Sequence, residues 1–225
     1  YGAMVTEDNI LVALASEVLV FAVKPQILKA VCQGLVHEVQ ESRPLIMSIA
    51  AGPIIDDIDA WLGGGLSVVR VMPNQPALID QGISALVSNE RTSKNNKALA
   101  ETIMSAVGHV VWLESESQMD AVTAVSGTGP SYFYLLIDIM IESARKFGID
   151  ADTARKLAVE TARGATSLAA AETESMTALI DRVKSPGGTT TAAFKYLEKM
   201  DARQIFATAI DEAEKRAAEL AKPAE

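Results

Sequence analysis

The chain has 225 residues, 49% of them hydrophobic and only 5% aromatic, with a formal net charge of −9. That apolar content excludes a disordered chain, and the acidic balance argues against nucleic acid or an anionic membrane surface as the main partner. No uninterrupted apolar run reaches the roughly 18 residues of a membrane-spanning helix, so no membrane insertion is expected. The single cysteine, Cys32, cannot close an internal disulfide. It reads as a small apolar residue on a helix, which suits a reducing, cytoplasmic setting. No secretory signal pattern is visible, and a start at Tyr1 rather than at Met leads us to expect the natural N-terminus upstream.

In chain order, VLVFAV over 18–23, PLIMSIA over 44–50, SVVRVM over 67–72 and HVVWL over 109–113 read as strands. The first three are nearly continuous apolar runs, as in a parallel sheet covered on both faces. Between them, 26–39 and 54–62 carry a helical period, and the alternation predicts an α/β unit with a doubly wound sheet. Beyond residue 115 no β run remains. A long helix is expected over 130–147, apolar nearly all round in its first half and so expected to be buried on several sides. A second helix over 152–171 carries a stripe of small residues, including Ala154, Ala158 and Ala162, that permits close helix approach. A last helix is expected over 202–220. The fold class is therefore α/β plus all-α, with an α/β domain over 1–115 and a helical domain over 116–225. A helical domain this poor in aromatics is expected to complete its core with a second copy of the chain.

Candidate sites lie where strands end, because ligands of open α/β sheets bind at the carboxyl edge. FAVKPQ (21–26) places Lys24 to meet an anion and Pro25 to start the next helix, although an ordinary turn would look the same. SIAAGP (48–53) repeats the arrangement, with Gly52 permitting close backbone approach, and RVMPNQPALI (70–79) is a third strand end. No strand runs into G-x-G-x-x-G and a helix. SGTGPSY (126–132) holds G-x-G, but Tyr132 stands in place of the third glycine, so it reads as a helix start with Pro130 in its first turn.

The sharpest local signal is VKSPGGTTTAAF over 183–194. Ser185 is expected to cap a helix and Pro186 to take its first position. Gly187 and Gly188 then leave N–H groups uncovered, and Thr189, Thr190 and Thr191 add hydroxyls, the makings of a carboxylate or phosphate site. On residue chemistry alone, a capped interhelix turn is equally compatible. His37 and His109 read as a surface and a strand-edge residue, and neither metal-ligand spacing nor a Cys–His or G-x-S-x-G arrangement is present, so no metal is expected.

Taken in order, VLVFAVKPQ, SIAAG, VVRVMPNQPALIDQGISAL, AVTAVSGTGPSYFYLLIDIM and VKSPGGTTTAAFKYLE resemble pyrroline-5-carboxylate reductase over nearly the whole chain. Phe194 stands where that family's signature usually has a smaller aliphatic residue, and MPNQP replaces the commoner MPNTP. The resemblance implies a Rossmann domain followed by a helical dimerisation domain, with a strand, Gly-rich loop and helix preceding Tyr1. It implies an oxidoreductase of amino-acid biosynthesis in which NADPH or NADH delivers hydride to the C=N carbon of 1-pyrroline-5-carboxylate, giving L-proline. By the same resemblance, Val23, Lys24, Pro25, Ala50, Ala51 and Gly52 line the cofactor. Val183, Ser185, Gly187, Gly188, Thr189 and Asn74 bind substrate, and the Thr190 hydroxyl meets the ring nitrogen as the catalytic group. The implied partners are this small-molecule substrate and a second subunit in a homodimer that can assemble further. Two alternatives stay open at this stage. One is a β-hydroxyacid dehydrogenase-like reductase using Lys184 or Lys195. The other is a non-catalytic, oligomer-forming fragment.

Overall fold

The computed structural model describes residues 2–221. The chain divides into two compact units, one of 2–128 with 211–221 and one of Gly129–Ile210.

The first unit runs α1 (Asn9–Ala15), β1 (Val18–Phe21), α2 (Pro25–Gln33), α3 (Val36–Ser42), β2 (Leu45–Ser48), α4 (Ile55–Trp61), β3 (Val68–Met72), a 3₁₀ turn (Gln75–Ile79), β4 (Gly82–Ser88), α5 (Lys94–Ser105) and β5 (Gly108–Trp112). A second 3₁₀ turn (Glu116–Gln118), α6 (Met119–Val122) and a π-helical turn (Thr123–Gly127) follow. The strands form one sheet in the order β1-β2-β3-β4-β5, parallel except where β4 runs antiparallel to β3. Alternation within the apolar runs covers both faces. Ile46, Val68 and Val87 point into one buried cluster with Leu28 and Ile58, whereas Leu45, Met47, Val69, Val71 and Leu86 point into another with Ala100 and Met104.

Two expectations about elements are corrected. The helix read over 26–39 is two helices. Gly34 ends α2 with its N–H on the Ala30 carbonyl at 3.1 Å, and the chain turns there to bury Leu35 before α3 begins. The strand GISALVS (82–88) was not anticipated. Its Gly, Ser and Ala residues dilute the apolar signal, yet β4 is the strand on which β5 and β3 both pair.

The buried Ser88 hydroxyl at the end of β4 has no hydrogen-bond partner among the described residues, but the charged group at the centre of the sheet is paired. Arg70, in β3 and 3% exposed, meets Glu116 Oε1 at 2.9 Å, and the same oxygen accepts the Ile55 N–H at the start of α4, also at 2.9 Å. Cys32 is fully buried, and desolvation pushes its thiol up to about 12. We expect a thiol-specific reagent to label Cys32 only after unfolding. Labelling of native protein at the rate seen in denaturant would contradict that burial.

The second unit holds α7 (Gly129–Lys146), α8 (Ala151–Ala171), α9 (Met176–Val183), α10 (Thr189–Lys199) and the first half of α11 (Ala202–Leu220). Asp150 and Ser175 cap α8 and α9 by accepting the N–H groups of Thr153 and Ala178. The expectation that α7 is buried on several sides is not met within one chain. Phe133, Tyr134, Leu135, Leu136 and Ile139 are about half exposed, while Ala154 and Ala158 of α8 are buried. Small residues let α7 and α8 approach closely, so the large apolar side chains have no core to enter in a single copy. No helix among the described residues is long and apolar enough to cross a membrane.

Candidate active site

In the first unit the carboxyl ends of β1, β2 and β3 share one edge of the sheet. Beyond β1, Ala22–Lys24 lead into α2, with Pro25 at its first position and the Lys24 side chain exposed and uninvolved in capping. The Ile49 N–H donates to the Phe21 carbonyl at 3.1 Å and keeps the loops after β1 and β2 side by side. The buried Ser48 hydroxyl accepts the Ala50 N–H at 3.3 Å. Ala50 is buried and Ala51 half-buried, and Gly52 lies at φ 105°, where a Cβ would come within 2.5 Å of the Leu220 carbonyl oxygen. Only glycine fits there.

Beyond β3, Asn74 is held from two sides. Its Oδ1 accepts the Ile83 N–H at 3.0 Å and its Nδ2 donates to Ser126 Oγ at 3.4 Å. Ser126 lies in the π-helical turn, closed by the Thr128 N–H on the Thr123 carbonyl at 2.8 Å. The Met72 methyl packs on Gly127, and a Cβ at residue 127 would fall on it. SGTGP therefore anchors the end of β3 before α7 begins at Gly129. Sequence reasoning singled out the motif without finding this role; the adjacent Ser–Gly pair was the available signal, since π turns favour functional sites.

In the second unit VKSPGGTTT folds differently from expectation. Ser185 does not cap a helix and Pro186 is not in one: α10 begins at Thr189 with Gly188 as N-cap. Gly187 has φ 73°, which a helix cannot include. With Pro186 ahead of it and the Gly188 N–H donating to the Ser185 carbonyl at 2.9 Å, the segment forms a type II turn. A Cβ at residue 188 would land on Ser185 Oγ. The Thr191 hydroxyl donates to the same Ser185 carbonyl at 2.6 Å. The Thr190 hydroxyl, half-buried, makes no hydrogen bond among the described residues. No side chain caps α10, so its first N–H groups stay open to an anion. Val183, the last residue of α9, is 67% exposed beside this turn.

Lys184 is engaged: its Nζ lies 3.2 Å from Asp181 Oδ1 and 4.7 Å from the centre of the Phe194 ring. His37 and His109 are exposed on α3 and β5, and no group of three or more metal-ligating side chains is found among the described residues.

A Rossmann-like sheet with open strand-end loops, joined to an all-helical unit, is the build of a dinucleotide-dependent oxidoreductase. The family profile described as Pyrroline-5-carboxylate reductase dimerisation matches residues 116–220. A pyrroline-5-carboxylate reductase of Pseudomonas aeruginosa is 43% identical over 218 residues, covering 97% of this chain and 80% of that protein. The solved pyrroline-5-carboxylate reductase of Coxiella burnetii superposes with a TM-score of 0.89 at 40% identity, over 97% of this chain and 81% of that one. The Plasmodium falciparum pyrroline carboxylate reductase, solved with NADP bound, gives 0.90 at 28% identity, over 96% and 82%. The chain belongs to the pyrroline-5-carboxylate reductase family.

Proposed function

We propose that this protein reduces 1-pyrroline-5-carboxylate to L-proline with NADPH or NADH. The observation that carries the reading is the uncapped start of α10 behind the Ser185–Gly188 turn, with the free Thr190 hydroxyl one position into the helix. The substrate is a carboxylate attached to a cyclic imine, and this segment offers one partner for each. The carboxylate takes the Ser185 hydroxyl and the Gly187 and Thr189 N–H groups. Gly188, whose own N–H is used in the turn, keeps that face bare. Val183 lines the approach. The Thr190 hydroxyl oxygen accepts from the N–H of the protonated ring nitrogen, orienting the C=N bond. The protonated imine is already electrophilic, so positioning supplies much of the rate. Hydride joins the ring carbon, the C=N π pair becomes the nitrogen lone pair, and proline leaves as a secondary amine.

When bound, the reduced nicotinamide supplies that hydride. Val23, Lys24, Pro25, Ala50, Ala51 and Gly52 are the residues to hold it. They fit: the small side chains leave the backbone open, and Lys24 offers a cation to an anionic cofactor. Asn74, oriented by Ile83 and Ser126, is a substrate-binding residue in this reading. A hydroxyacid reductase working through lysine is not favoured, because Lys184 is held against Phe194 and Lys195 is exposed. The buried thiol of Cys32 supports a cytoplasmic setting.

The test is nicotinamide absorbance with purified full-length protein and pyrroline-5-carboxylate: oxidation of NADPH or NADH is expected, and none with either would sink the reading. The apolar face of α7 supports a homodimer as the basic assembly. Leu136→Glu, at a side chain 51% exposed in one chain, should convert it to monomer by light scattering. An unchanged dimer mass would place the interface elsewhere.

A further inference from the structure

We infer that Lys184 and Phe194 form a positioning pair that sets the Ser185–Gly188 turn for the substrate carboxylate; the inference rests on the function proposed above. Lys184 is the residue immediately before the turn, at the C-cap of α9. Phe194 lies five residues into α10, well over one helical turn past Thr189. The ammonium sits 4.7 Å from the ring centre, so one side-chain contact closes a ring around the whole SPGGTTT segment. It does so from outside the Ser185 carbonyl, which already gathers the Gly188 N–H and the Thr191 hydroxyl.

The ring, rather than the neighbouring carboxylates, anchors this lysine. Asp181 and Glu198 are 61% and 69% exposed, and Glu198 stands 4.0 Å away, so their pairing is that of solvated surface groups. The Lys184 side chain is only 29% exposed and itself lines a cavity together with Ile180, Phe194, Leu197 and the charged Asp181 and Glu198. There the cation–π contact is partly shielded from water and correspondingly stronger. A smaller aliphatic residue at 194 would leave the ammonium only the exposed carboxylates of Asp181 and Glu198, so the two side chains form one device.

The test is steady-state kinetics of Lys184→Met, Phe194→Leu and the double variant, with hydrogen exchange of the peptide spanning 185–191. Each single variant should raise KM for pyrroline-5-carboxylate roughly 3- to 10-fold, the range of a partly shielded cation–π contact. KM for the nicotinamide cofactor and the melting temperature should stay unchanged, and exchange over 185–191 should quicken. The double variant should be no worse than the worse single, and Lys184→Arg or Phe194→Tyr should restore wild-type KM. An unchanged KM in Lys184→Met, or single effects that multiply in the double, would overturn the pair. If the wild-type protein does not turn over pyrroline-5-carboxylate at all, the functional reading falls and exchange decides the pair alone. Unaltered exchange over 185–191 in Lys184→Met would then reject it.

Discussion

Glu116→Ala is expected to lower the free energy of unfolding by about 2–3 kcal/mol. Arg70 stands in the middle of the sheet, 3% exposed. Its carboxylate partner is Glu116 at 2.9 Å. Deleting one member of an enclosed pair strands the other and costs about 3–5 kcal/mol; the Glu116 side chain keeps 26% exposure, so the cost here falls at or just below the bottom of that range. The same oxygen also accepts the Ile55 N–H, and α4 has no cap of its own. The variant therefore loses a helix-start acceptor too. Urea titration should show a lower midpoint with an unchanged slope. Removing both charges with Arg70→Met and Glu116→Leu should recover part of the loss. A midpoint unmoved by Glu116→Ala would mean that the pair contributes nothing.

Thr190→Ala is the second large effect: kcat should fall by about 100-fold, the lower end of the scale for removing one positioned hydrogen-bonding group. Alanine is a better helix former than threonine, so α10 should not weaken and the dimer should persist. Thr190→Ser, which keeps the hydroxyl, should retain most of the rate. The choice among the three threonines is specific. Thr191 is committed to the Ser185 carbonyl, so Thr191→Ala should loosen the turn and act on substrate affinity, whereas Thr190 is free to meet a ligand. Equal rates for Thr190→Ala and wild type would remove this hydroxyl from the mechanism.

The sheet was legible where burial on both faces wrote continuous apolar runs, as in 44–50 and 67–72. It was not legible at β4, whose small residues look like loop, nor at Leu35, where tertiary burial breaks a helix that period alone would continue. Around 185–188 the residues marked a helix start but the wrong cap. Pro–Gly chemistry suits both a helix start and a type II turn, and the positive φ of Gly187 decides between them. The exposure of α7 escaped the sequence for a different reason: an apolar surface reads alike whether its partner is in the same chain or in another copy.

The end of α11 carries a consequence for biosynthesis. Residues 211–221 belong to the first unit, where Ala217 is buried and the Leu220 carbonyl sits against Gly52. The first unit is thus discontinuous in sequence. A ribosome releases its final piece only after the entire helical unit has been made. The sheet can form early, but that unit closes last, and a nascent chain halted before residue 211 should remain open to protease at the loop that Gly52 occupies.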